Sequence, residues 1–260
     1  MKLCILGPLR LETSDGVVMT PQALKVRSLL AYLAVHSGRT VSTDQLIDTI
    51  WAGDPPRTAL TALHVYVCRL RQHLKAAGLA SDDLATRPPG YLLNLNQYAF
   101  DLRTFDELTT RAQQAESIGD LPGSATLLGE ALALWQGPPL ADLRDLPVLA
   151  ATAHVITERR VATQERYFET ALILRRHGYV VADLYRSVGE YPMSERLHYL
   201  LMLALYRSGR TAESLMVYNR LRANLVEGLG LEPNLLVQRL HRAILDRREW
   251  LDDPSYLHAS

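Results

Sequence analysis

From Asp101 onward the sequence never leaves helical periodicity, and this one feature excludes a β-dominated fold. Apolar residues recur at steps of three and four through 105–117, 123–134, 149–176, 182–190, 195–208, 211–228 and 234–248. The breaks between these runs are short: Gly119 to Pro122, Gly137-Pro138-Pro139, Gly178, Tyr191-Pro192, Ser208-Gly209, and Gly228 to Pro233. Helices of a dozen residues joined by such turns bury their apolar stripes by stacking as antiparallel hairpins. The rear of the chain is therefore expected to be all-α.

The first hundred residues follow other rules. The runs LCILG, LRLET and VVM, with Asp15-Gly16 as a hairpin signal, predict a small antiparallel sheet. After Pro21 the spacing turns helical, with Leu24, Leu29, Leu30, Leu33 and Ala34 on one broad face ended by Ser37-Gly38. Ser42 followed by Gln45 three residues on is the capping-box pattern, opening a second helix that carries Leu46, Ile47, Ile50 and Trp51. A third helix is expected over 58–76, its buried stripe formed by Leu60, Leu63, Val67, Leu70 and Leu74. From Pro56 to Ala76 the chain holds Arg57, Arg69, Arg71 and Lys75 and no acidic residue. Two extended runs then flank the turn at Arg87-Pro88-Pro89-Gly90.

Length and charge sharpen this division. At 260 residues the chain exceeds the usual single domain, and a boundary near residue 97 separates two expected domains, 1–97 and 98–260. The formal net charge is zero, but 1–97 carries 10 Lys/Arg against 7 Asp/Glu and 98–260 carries 18 against 21. The front is +3 and the rear −3, so the basic surface that nucleic acid needs lies in front. The apolar runs are too short to span a bilayer and the N-terminus lacks a signal-peptide shape, which predicts a cytoplasmic protein without membrane contact. Cys4 and Cys68 are too few and too far apart for a zinc pair, and His64 and His73 lack a matching acid or cysteine. No GxSxG, HExxH or phosphate-loop lysine occurs, so neither catalytic residues, metal nor cofactor are expected.

The order sheet, helix, helix, basic helix, hairpin resembles a winged helix-turn-helix preceded by the four-stranded sheet of the OmpR/PhoB type. Behind it, LHYLLMLALYRSGRTAESLMVYNRL is similar to a tetratricopeptide unit, with Leu201, Ala204, Leu205 and Tyr206, a Gly209 turn, then Ala212 and Tyr218. The segments GRTVSTDQLIDTIW, HVYVCRLRQHL, TRPPGYLL, GEALALWQGPPLADL and ERLHYLLMLALYRSGR occur in the order found in the Streptomyces antibiotic regulatory proteins. The chain resembles that family over nearly its whole length, as a small stand-alone member. The resemblance implies a mostly α fold with small β: a DNA-binding winged helix, then a tetratricopeptide-like bacterial transcriptional activation domain. It implies an activator of antibiotic biosynthesis genes that binds direct repeats near a promoter's −35 region. Its partners would be double-stranded DNA, a second protomer on that DNA, and RNA polymerase holoenzyme with its sigma factor.

Residue roles follow by face and analogy. Thr61, Val65, Arg69 and Gln72 lie opposite the buried stripe, with Val65 and Arg69 at base-reading positions; Arg suits guanine and Val a thymine methyl. His64, Tyr66, Arg71 and Lys75 are expected to meet phosphates, and Arg57, just before the helix, is counted among the DNA-binding residues. Arg87 corresponds to the wing arginine that enters a minor groove. Cys68 departs from the commoner pattern of Arg or Ser. A tetratricopeptide-type scaffold is the rival reading, but it has no need of an acid-free basic helix. With Leu24, Leu30, Leu33, Leu46, Ile50, Leu63, Val67 and Leu70 as its core, 1–97 is also expected to fold as a fragment.

Overall fold

The computed structural model describes residues 1–253, which form two compact units. One comprises Met1–Thr110 and Glu130–Arg160, the other Arg111–Gly129 and the chain from Val161 onward.

The first unit opens with β1 (Lys2–Cys4), β2 (Arg10–Glu12) and α1 (Leu24–Val35). It continues through β3 (Thr40–Ser42), α2 (Thr43–Trp51), α3 (Ala59–Ala76), β4 (Leu84–Arg87), β5 (Gly90–Leu93) and β6 (Ala99–Phe100). The Ser42 capping box forms as its spacing dictates: Gln45 N–H donates to Ser42 Oγ at 3.2 Å, and Ser42 N–H to Gln45 Oε1 at 3.1 Å. Leu29, Leu30, Leu33, Leu46, Ile50, Leu63, Val67 and Leu70 are all buried, closing a three-helix core. Two expected core residues are not in it. Leu24 is 49% exposed because it opens α1 on its outer side, and Leu60 is 51% exposed because the stripe of α3 begins one residue earlier, at Ala59.

The leading sheet differs from the four strands expected. It has three, in the order β2-β1-β6, with Leu3 opposite Leu11 antiparallel and Leu3 opposite Phe100 parallel. The Asp15-Gly16 turn yields only a single bridge, Glu12 to Val18. Val17 and Val18 are both exposed, so no apolar layer rewards extending that arm into a strand. The third strand comes from beyond the second sheet. Directly after it, the buried Asp101 carboxylate accepts from the backbone N–H groups of Ile5 (2.8 Å), Leu6 (2.9 Å) and Leu102 (2.8 Å). Burial pushes this carboxyl upward from its ordinary pKa, and the three amide donors pull against that rise.

Three helices follow: α4 (Asp101–Ser117), α5 (Leu121–Ala133) and α6 (Pro147–Ile173). Within the first unit, the connection between α5 and α6 straps the β1–β2 turn. Gln136 N–H donates to Leu6 O at 2.8 Å, Leu140 N–H to Ile5 O at 3.1 Å, and Leu9 N–H to Asp142 Oδ1 at 2.8 Å. Arg27 of α1 forms an ion pair with the same Asp142. Trp135 is half-buried and stands edge-on to Phe105 at 5.4 Å.

The second unit is built from α7 (His177–Glu190), α8 (Glu195–Arg207), α9 (Thr211–Leu229) and α10 (Leu235–Asp246). Every residue from Leu197 to Leu205 is buried, so α8 is the central helix of the stack. Gly209, at φ +75°, makes the turn into α9, and Ser214 Oγ donates to Met202 O at 2.8 Å. Arg207 gathers three carbonyls, those of Leu251 (2.7 Å), Asp253 (2.8 Å) and Leu172 (3.3 Å). Gly178 does not break a helix as expected. It lies in the first turn of α7, where backbone N–H groups have no i−4 partner to lose, and the break falls at Arg175 (φ +57°). The fold is thus mostly α with small β: a winged helix, then a tetratricopeptide-like helical domain.

Candidate nucleic-acid interface

The chemistry of α3 follows from which residues its stripe withdraws. Ala59, Leu63, Val67, Leu70 and Leu74 face the core, spaced four, four, three and four apart. Outward and exposed are Thr61, His64, Val65, Cys68, Arg69, Gln72 and Lys75, with Leu60 and Ala76 at the two ends of the helix. Arg57 is exposed in the turn before the helix. Val65, 45% exposed, is a large apolar residue amid these polar ones, and no carboxylate interrupts the face. His73 and Lys75 in the last turn also suit the negative end of the helix dipole, so part of their placement serves the helix itself.

Two of the residues expected here are tethered. The ring of Tyr66 lies 6.0 Å from that of Trp51, over which Lys25 Nζ sits at 4.5 Å. Arg71 is half-buried: its Nε donates to Leu84 O at 3.1 Å and a terminal nitrogen to Thr86 Oγ1 at 2.9 Å. Its guanidinium also lies 5.9 Å from the ring of Tyr91. Within the protein, Arg71 therefore binds the hairpin.

That hairpin is the wing. Its sheet runs β3-β5-β4, with Thr86 opposite Tyr91 and Arg87 opposite Gly90. Arg87 closes β4 and is exposed. At the tip, the backbone N–H and the hydroxyl of Thr43 both donate to Pro89 O, at 3.1 and 2.8 Å. Gly90 was read as a turn residue, yet it lies within β5 opposite Ser42. A Cβ there would sit 1.8 Å from Val41 O and 2.8 Å from Ser42 Cα. Neither the role of Thr43 nor that of Gly90 is legible in the sequence, because both depend on the wing meeting a segment nearly fifty residues away; the Pro-Pro-Gly run is the local trace. Among the described residues, no cluster of three His, Cys, Asp or Glu is placed to hold a metal ion, and no helix is long and apolar enough to cross a membrane.

Comparison with known proteins places these features. Residues 19–93 match the family described as transcriptional regulatory protein, C terminal, and 100–245 match the bacterial transcriptional activator domain. Regulatory protein DnrI of Streptomyces peucetius is 34% identical over 94% of this chain and 92% of its own. Regulatory protein AfsR of Streptomyces griseus is 33% identical over 98% of this chain, which spans 26% of that longer protein. Among solved structures, Mycobacterium tuberculosis EmbR, in complex with a low-affinity phosphopeptide, superposes with a TM-score of 0.89 at 31% identity. That superposition covers 99% of this chain and 69% of EmbR.

An OmpR/PhoB-type winged helix joined to this helical domain defines a transcriptional regulator. The chain belongs to the Streptomyces antibiotic regulatory protein family.

Proposed function

We propose that this protein is a sequence-specific DNA-binding activator of antibiotic or other secondary-metabolite biosynthesis genes, working in the cytoplasm. It reads direct repeats near a promoter's −35 region and recruits RNA polymerase holoenzyme through contacts that include the sigma factor. The observation that carries this reading is the acid-free outer face of α3, presented beside an exposed wing arginine. Residues 1–97 carry the DNA contacts and 98–260 the activating surface.

On this reading Val65 and Arg69 touch base edges, with Thr61 and Gln72 beside them. Arg57, His64 and Lys75 meet phosphates, and Arg87 enters the minor groove. Tyr66 reaches the backbone from its seat against Trp51. About four phosphate contacts per protomer give a log–log salt slope near −3 to −4, measurable by fluorescence anisotropy across a salt series. A slope near zero would remove the electrostatic part of the reading. Arg69→Ala should narrow the preference for a specific site over random duplex by about 1–3 kcal/mol, whereas Lys75→Ala should weaken both alike. An unchanged specificity ratio in Arg69→Ala would place the reading face elsewhere.

Direct repeats set two copies head to tail, so the contact between them joins different faces and is not two-fold symmetric. The free protein is accordingly expected to be monomeric and to pair cooperatively on DNA, where adjacent sites raise the local concentration. Sedimentation of free protein, beside gel shifts on one and two repeats, checks this; a symmetric dimer off DNA contradicts it.

A further inference from the structure

We propose that Arg71 and Thr43 are positioning residues for the wing, holding Arg87 ready for DNA without touching it themselves; this rests on the DNA-binding reading above. The Arg87 side chain is exposed and makes no hydrogen bond or ion pair within the described residues, so nothing in the side chain fixes it. Its backbone is bracketed instead. Thr86, just before it, accepts from Arg71 of α3, and Pro89, two residues after it, accepts twice from Thr43 of α2. Directly across the ladder lies Gly90, locked against Val41. The hairpin that carries Arg87 is thereby tied to both helices of the helix-turn-helix.

The physical consequence is preorganisation. A free hairpin tip loses conformational freedom when it meets DNA, and ties made in the unbound protein remove that cost from binding. Arg71 is suited to this because its planar fork reaches two acceptors on one strand at once, Leu84 O and Thr86 Oγ1, where a lysine would offer a single point charge. With Nε and one terminal nitrogen so engaged, the guanidinium is directed at β4.

The test is a double-substitution cycle in the full chain, binding a mixed-sequence duplex of about 30 base pairs, with each affinity measured across a salt series. Arg87→Ala is expected to weaken binding about fivefold and reduce the salt slope by about one. Arg71→Ala should do the same through Arg87, and the double variant should lose less than about twofold beyond Arg87→Ala, with the slope still reduced by about one. Arg71→Lys should not restore binding. Thr86→Val, which keeps the charge and removes the acceptor, should show part of the Arg71→Ala loss and none of it once Arg87 is alanine. Thr43→Val should behave likewise, and both valine variants keep the test open if Arg71→Ala unfolds. Multiplying losses with a slope reduced by about two would make Arg71 a phosphate ligand and overturn the proposal, as would wild-type binding by Arg71→Ala or Thr86→Val. Failure of the unsubstituted chain to bind the duplex would sink the DNA-binding reading itself, before any variant is compared.

Discussion

A fragment cut at residue 97 is expected to lose at least about 3 kcal/mol of stability relative to the same unit in the full chain, leaving it marginal or unfolded. The helical pattern of 1–97 predicts that this fragment folds, since its three-helix core is complete; the contacts of the leading sheet argue for the opposite outcome. Strand β6, residues Ala99–Phe100, supplies the parallel partner of β1, and Asp101 supplies the acceptor for Ile5 and Leu6 N–H. The 136–142 strap satisfies the carbonyls of Ile5 and Leu6 and the N–H of Leu9. All of these lie beyond the cut. Urea denaturation followed by circular dichroism checks the expectation, and Asp101→Ala in the full chain isolates one component. That substitution leaves three amides, those of Ile5, Leu6 and Leu102, without this acceptor and should cost about 2–4 kcal/mol. A fragment that unfolds cooperatively with the stability of the intact unit would show that the strap and β6 contribute little.

Gly90→Ala is expected to destabilise the wing by about 3 kcal/mol or more, because the added methyl meets backbone rather than a yielding side chain. With Val41 O 1.8 Å from the new carbon, β3 and β5 must separate, and the hairpin carrying Arg87 goes with β5. Gly53→Ala makes the control: its site has open space and only the cost of a φ of +89°. Hydrogen exchange of the β5 amides would report the separation directly. Wild-type protection in Gly90→Ala would mean that the strands adjust without cost.

How much of this was legible in the sequence depended on the range of the interaction that decides each feature. The Ser42–Gln45 box and the outward placement of Thr61, Val65, Arg69 and Gln72 are decided within a turn or two of chain, and spacing alone locates them. The stripe of α3 was off by one residue at its start, since Leu60 and Ala59 compete for the first buried position and only the packed helices choose. The third strand of the leading sheet is two residues long and pairs with a partner nearly a hundred positions away, so no local pattern marks it. Arg71 shows the same limit at the site. Composition counts it among the basic residues of an outer face, but its half-buried position and its two bonds to β4 appear only once the wing has folded back.

The most direct test of sequence-specific recognition through α3 is selection of duplexes from a randomised pool by the full-length protein, followed by footprinting of the winners. The expected result is enrichment of two half-sites in the same orientation, protected together, with the preference relaxed at the position Arg69 reads in Arg69→Ala and retained in Lys75→Ala. Recovery of no common sequence, or of the same sequence by Arg69→Ala, would contradict it.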